Sequence, residues 1–441
     1  MMNQFRQWLS YNRSLISNSG SLIGAAIANS GLGFLYWWLA ALSFEESVVG
    51  LASASVSAMV LLGSMAMLGL GTLLVGELPK HRGEEPALIT TALAAITAAA
   101  VVFALIFAVG AALLTHDFDV LTANLLNTGM FVLGVILTAI TLMLDQAFIG
   151  LLRGEVQFTR NMIASVVKVV LVFAIGRWIA DQTGMWIFSA WVLGMLVSMI
   201  TPFRFLAKTF GTQIKTRWCF LRELGTNALI HHWLNLALDT PIRILPVIVT
   251  VVLSPATNAS FYVAWMIAGL MFFPVQSLTL VLYAVSSQDS AQLAEKTRMT
   301  LRLAALIGVI GYAGVFIVAD LTLGVFGASY ALTAGNALRI VSMAIFPLII
   351  KDHFVAIHRI QNRTRRAAVV ITVGGFVEIV LATVGGIVGG LNALSAAWVC
   401  AIVLQAIYMA PTVFQTARVR RPVNLADPRS ADTLNQPILN R

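Results

Sequence analysis

Charge is scarce in this chain: Asp, Glu, Lys and Arg make up 11% of its 441 residues, while hydrophobic residues make up 59%. A water-soluble domain of this size carries charge on about a quarter of its residues, so the composition excludes one. With two cysteines, Cys219 and Cys400, a disulfide framework is not expected. Alternating ten-residue segments, the mark of a membrane β-barrel, are missing. So is the G-x-x-x-x-G-K-[ST] loop of a built-in ATPase, and Cys and His do not cluster at metal-ligand spacing. No connection is long enough to hold a catalytic domain, and an enzyme is not expected.

What fills the chain is apolar sequence, with a mean hydropathy of +0.88. Runs of about 20 residues recur, enough to cross a hydrocarbon core of about 30 Å as helices. The first is too long for a signal peptide and leads straight into a second. The spans expected are 20–42, 48–75, 87–114, 125–150, 161–180, 186–207, 226–253, 258–285, 303–325, 334–357, 367–389 and 394–417. The fold class is therefore all-α and polytopic, with twelve transmembrane helices.

The Lys and Arg residues orient these spans. They cluster at Arg6/Arg13, Lys80/Arg82, Arg153/Arg160, 208–222, Lys296/Arg298/Arg302, 359–366 and 418–441, which mark every second connection. The connections between, near 43–47, 115–124, 181–185, 254–258, 326–333 and 390–393, have no Lys or Arg. Short cytoplasmic loops retain basic residues, so both termini are expected in the cytoplasm. The net charge of +9 reflects this topology and contact with anionic lipid headgroups, not nucleic-acid binding.

The longest connection, 208–225, divides the chain into an N-lobe, 20–207, and a C-lobe, 226–417, of six spans each. Residues 1–19 read as a short interfacial helix and 418–441 as a disordered tail. The second span of each half enters after a short loop and is rich in small residues, a loose repeat. A parallel six-span repeat is one of the transporter plans, with the site between the halves.

Charges inside the bilayer cost several kcal/mol and each needs a reason. Asn227, His231, Asn235, Asp239 and Arg243 follow at four-residue steps in span seven and share nearly one helix face. This is the expected wall of a central cavity, with Arg243 facing an anion and Asp239 holding the guanidinium; the bland alternative is a buried ion pair. Pro241 and Pro246 are expected to interrupt the helix beside the cavity. Lys168 in span five either snorkels or serves function. Glu378 in span eleven is placed to carry protons or to oppose a basic residue. Asp145 and the Lys351/Asp352/His353 group, near the basic ends of their spans, read as a solvated gate. Arg177, Asp320 and Arg339 read as interfacial.

The stretch GLGFLYWWLAALSFEESVVGLASASVSAMVLLGSMAMLGLGTLLVGELPKHRG (31–83) resembles the start of an oligosaccharide or polysaccharide flippase. Such proteins belong to the multidrug/oligosaccharidyl-lipid/polysaccharide exporter superfamily. NASFYVAWMIAGLMFFP (258–274) and LRIVSMAIFPLIIKDHFVAIHRIQNRTRR (338–366) are similar to later parts of that pattern. The resemblance implies two six-helix lobes forming a V around a central cavity that opens alternately to each side of the bacterial cytoplasmic membrane. It implies an O-antigen-type substrate, a lipid-linked oligosaccharide on undecaprenyl pyrophosphate, with Arg243 and Lys168 as the basic residues that meet the pyrophosphate. Span one, with only Asn29 and Ser30 as polar candidates, lacks the basic residues of peptidoglycan-precursor flippases. Membrane lipids and polysaccharide polymerase or assembly proteins are the implied partners. No cofactor is expected beyond coupling to a proton or Na⁺ gradient. An ion-coupled drug antiporter of the same superfamily, using Asp239 or Glu378, is the alternative. A membrane glycan polymerase is a third reading, for which the outer loops are too short.

Overall fold

A computed structural model describes residues 30–81, 83–114, 117–179, 183–211, 216–219, 226–286 and 293–418. These residues form helices and turns, with no strand among them. The helices are α1 (30–43), α2 (Glu46–Ala66), α3 (Leu70–Glu77), α4 (Glu85–Leu114), α5 (Asp119–Thr122), α6 (Leu125–Gly150), α7 (Gly154–Trp178) and α8 (Gly184–Ser198). They continue as α9 (Ile200–Phe210), α10 (Thr226–Val252), α11 (Pro255–Ser286), α12 (Leu293–Gly324), α13 (Ala328–Ser342), α14 (Ile345–Ile360) and α15 (Thr364–Arg418). Nine helical stretches among the described residues, with α8 and α9 counted together as one, are long and apolar enough to cross a membrane, and the bent α13–α14 pair passes the same test when taken as one span. The expected interfacial segment 1–19, the start of span one with Asn29, most of the 208–225 connection and the tail beyond Arg418 lie outside the described residues.

The α15 helix would be roughly 80 Å long if straight. It breaks at Gly389 and Gly390, whose backbone is non-helical. Its two arms then run antiparallel: Gly385 faces Ala393 and Ala397, and Gly374 faces Gln405. These arms are the expected spans eleven and twelve. Gly390 sits at φ +69°, a conformation that glycine adopts without steric cost.

Proline decides where other spans break. Pro202 and Pro347 lack the N–H that would bond to Ser198 and Met343 four residues earlier. At those places α8 gives way to α9, and α13 to α14 with a bend of 45°. Pro241 and Pro246 were expected to interrupt span seven, but α10 runs continuously through both. The neighbouring arm of α15 packs against the Pro241 ring and the Ala237 carbonyl through Gly375, which has no side chain in the way. In span two, α2 and α3 are separated by Leu68 and Gly69, both at positive φ, and Gly69 rests against His232 and the Ala228 carbonyl of α10.

The N-lobe (α1–α9) and C-lobe (α10–α15) meet mainly along α2, which packs on α10 and α11. Close approach is possible because Gly50 lies directly on the Pro255 carbonyl, where a Cβ would overlap backbone. Here Asn258 Nδ2 donates to the Gly50 carbonyl at 2.8 Å and to Ser53 Oγ at 3.0 Å. Nearby, Trp37 meets Tyr262 edge-on at 4.8 Å, Phe34 meets Phe326 at 4.9 Å, and Trp38 Nε1 donates to the Val325 carbonyl. These contacts sit toward the ends of the spans whose connections lack Lys and Arg, so the lobes are sealed on that side. On the basic side, Arg217 from the inter-lobe connection pairs with Glu84, and its amide donates to Thr91 Oγ1.

In a protein with Cys219 and Cys400 replaced by Ser, the pair Ser53→Cys and Asn258→Cys should cross-link under mild oxidation, read by altered gel mobility after cleavage in the 208–225 connection. Little cross-linking would mean that α2 and α11 do not close here in solution.

Candidate functional site

A cavity of about 420 Å³ lies within the C-lobe, walled by α10, α11, α14 and both arms of α15. Toward the basic side its wall carries Asn235, Tyr283 and Arg359; at its other end are Lys351, Glu378 and Trp398. Its volume is in the range of small-ligand sites. Because the hydrocarbon core holds no water to solvate polar groups, a cavity is one of the few places in a span where unpaired polar atoms are tolerable.

Of the five polar residues of span seven, two line this cavity. Asn235 and Asp239 line the cavity, and Asp239 Oδ2 accepts from Arg243 Nη2 at 3.2 Å and Nε at 3.3 Å. The pair is 43% and 35% exposed, so it faces open space and not packed side chains. Asn235 Oδ1 accepts from Arg359 Nη2 at 2.6 Å, and His231 lies within electrostatic reach of the same guanidinium. Asn227's side chain lies outside the described residues, as does Asn29.

Glu378 is buried and fully engaged. Oε1 accepts from Lys351 Nζ at 2.6 Å and from Gln405 Nε2 at 2.8 Å, and Oε2 accepts from Trp398 Nε1 at 3.0 Å. Of its two expected roles, opposing a basic residue is the one the geometry displays. Lys351 and His353 were expected to be solvated; both are buried, because α14 begins well inside the lobe after the bend at Met343. His353 is bonded to the Ile349 carbonyl and to Thr300. Asp352 lines the cavity with a buried Oδ2 that has no hydrogen-bond partner, and the Nε of Arg359 is likewise unpartnered. Such an atom costs about 1–3 kcal/mol unless something fills the site.

Asp145 was also expected to be solvated. It is clamped to Arg160, whose Nη2 reaches both its oxygens at 2.8 Å, with Asn161 completing the set. Arg160, counted from sequence with the loop residues, is buried inside α7. The pair joins α6 to α7 within one lobe. Lys168 does not snorkel: it is 9% exposed, with Nζ 3.8 Å from the Trp191 ring centre. It lies in the N-lobe, apart from the C-lobe cavity. Arg339 and Asp320 pair with each other at 2.8 Å.

The sequence reading missed Arg359, Gln405, Trp398 and Tyr283. Arg359 had a signal: it follows Lys351 by eight residues, two turns on the same face. The others become visible only when Glu378 and the cavity are placed.

Removing one member of a buried pair leaves an uncompensated charge and costs about 3–5 kcal/mol. Lys351→Met should therefore lower the melting temperature of the detergent-purified protein markedly. The double variant Lys351→Met, Glu378→Gln should regain much of it. An unchanged single variant would show that the pair is not formed.

The family model described as polysaccharide biosynthesis protein matches residues 15–245 of this chain, a little over half of it. No curated protein matches it. Among solved structures, an inward-facing multidrug resistance MATE family transporter of the MOP superfamily superposes with a TM-score of 0.68 at 13% identity, covering 89% of this chain and 96% of the other. Lipid II flippase MurJ, in an inward closed conformation, gives 0.64 at 12% identity and covers 90% of each chain. An outward-facing MATE transporter gives 0.58 at 12%, covering 89% and 93%. At these identities the likeness is one of fold.

Proposed function

The chain belongs to the polysaccharide biosynthesis protein family, and from that premise we propose that it is a flippase. Its substrate is a lipid-linked oligosaccharide on undecaprenyl pyrophosphate, carried from the inner to the outer leaflet of the bacterial cytoplasmic membrane. The observation that carries the reading is a half-exposed Arg243–Asp239 pair beside a cavity that Asn235, Asp352 and Arg359 also line, inside membrane-spanning helices, in a chain of this family. An oligosaccharide cannot shed its water in hydrocarbon unaided. Asn235, Gln276 and Tyr283 offer hydrogen bonds that replace part of that water, while the polyprenyl chain stays in the lipid. Arg243 supplies a fork of donors suited to phosphate oxygens, with Asp239 holding it in place between substrates.

The basic side is the cytoplasmic side by the distribution of Lys and Arg, so the sealed side faces outward and the cavity lies toward the substrate's starting leaflet. Alternating access then requires the α2–α11 seal to part. For coupling to an ion gradient, Asp352 has the advantage over Glu378, because one of its oxygens is unpartnered whereas both of Glu378's are occupied. The same occupancy weakens the drug-antiporter alternative that would use Glu378 as carrier. Assembly with a polysaccharide polymerase fits the family's role but rests on that alone.

The test is translocation in sealed proteoliposomes, with a leaflet-accessible tag on the glycolipid. Arg243→Ala should slow flipping about ten- to hundredfold, the equivalent of one charge-assisted hydrogen-bond contact of about 1.5–3 kcal/mol, while still inserting in the membrane. Full flipping by the variant would remove Arg243 from the mechanism. Asp352→Asn should flip at a rate that no longer responds to an imposed proton or Na⁺ gradient; an undiminished response would place coupling elsewhere.

A further inference from the structure

Five charged side chains line the C-lobe cavity: Asp239, Lys351, Asp352, Arg359 and Glu378. Some are already committed, since Glu378 holds Lys351 and Asp239 holds Arg243. Asp352 is not: among the described residues no hydrogen bond or salt bridge engages it. Arg359 is committed in part, with Nη2 on Asn235 and a buried Nε that has no partner. The two residues stand on α14 two turns apart on one face, so a free acceptor and a free donor share one wall. Neither residue is fully buried. With Arg243 counted beside its partner, three acids meet three bases, and the cavity carries no net charge.

Much of the remaining wall is aromatic. Trp265 meets Trp398 edge-on at 4.7 Å, the Trp398 N–H is taken up by Glu378, and Phe272 and Tyr283 also line the cavity. Such rings present flat apolar faces, and a mostly apolar wall with a few placed polar groups is the general form of a ligand pocket. The cavity is open to a ligand. Asp239 is 43% exposed, and Gly269 and Gln276 on the α11 wall are exposed as well. A Cβ built on Gly269 meets nothing within 4 Å.

A cation held at Asp352 would leave Arg359 Nε without a partner, and an anion at Arg359 would face Asp352 and Asp239. An uncharged ring with C–H faces and a rim of hydroxyls meets both requirements. One hydroxyl donates to the Asp352 carboxylate, another accepts from Arg359, and the faces lie against the indoles. We propose that the C-lobe cavity is a subsite for one uncharged sugar ring of the glycan, recognised by Asp352 and Arg359. This deepens the flippase reading and rests on it, and it makes the protein selective for the sugar as well as for the lipid carrier.

Binding to the purified full-length protein in nanodiscs tests the subsite. The probes are undecaprenyl pyrophosphate alone, the same lipid bearing a neutral disaccharide, and the same lipid bearing a uronate-containing disaccharide. The neutral probe should bind at least about tenfold more tightly than the bare lipid, the worth of one hydrogen bond to a charged group, and more tightly than the uronate probe. Arg359→Met should bring the neutral probe down to the level of the bare lipid and leave the bare lipid unchanged. Gly269→Leu should do the same by filling the cavity. Its new side chain starts in free space, which keeps the test decisive should Arg359→Met fail to fold. Equal binding of the bare and neutral probes, tightest binding of the uronate probe, or folded variants that lose nothing or lose both probes alike would overturn the subsite and leave the flippase reading standing. Unsubstituted protein that binds none of the probes would remove that reading itself.

Discussion

A hydrocarbon core offers no water to a polar group, and the arrangement of this molecule follows from that constraint. Every ionised side chain in a span must find its partner within the protein or face a cavity. Glu378 shows the first solution in full, with donors from α14 and from the other arm of α15 occupying both oxygens. Asp145 and Arg160 show it between neighbouring helices of the N-lobe. Clusters of this kind act as rivets within a lobe, because separating their helices would strand a charge. Asp239, Arg243, Asp352 and Arg359 follow the second solution, since each is incompletely satisfied or partly open. Permanent structure and available chemistry are thereby divided among residues of the same types.

The backbone obeys the same constraint. A proline frees a carbonyl four residues earlier, and the helix does not break at every one. Where α15 lies over Ala237 through Gly375, α10 stays whole; at Pro347 the span bends by 45°. The bend before α14 carries Lys351 and Asp352 into the lobe interior. Small residues do the complementary work at the seal, where Gly50 lets α2 lie on Pro255 and brings Asn258 into hydrogen-bonding range. In lipid, where packing rather than hydrophobicity holds helices together, such close approaches are the means of joining two lobes that can also part.

Taken together, the lobes are unequal. Among the described residues, the C-lobe holds the cavity and most of the interior charges, and the N-lobe contributes Lys168 against Trp191.

The sequence by itself determined the membrane class and the order and approximate limits of the helices. These depend on hydropathy summed over a window and on the 3.6-residue repeat, both local properties. It even pointed to the Asp239–Arg243 pair, because its members are one turn apart. Only the tertiary structure decided that Glu378 belongs to Lys351, Trp398 and Gln405, that Asp145 is tied to Arg160, that Arg359 leaves its basic cluster to line the cavity, and that Lys168 lies on Trp191. It also decided which prolines break their helices. Each of these is a matter of which surfaces of separate helices come to face one another, and in a bilayer that is settled by close packing and the pairing of buried charges, neither of which leaves a periodic trace along the chain.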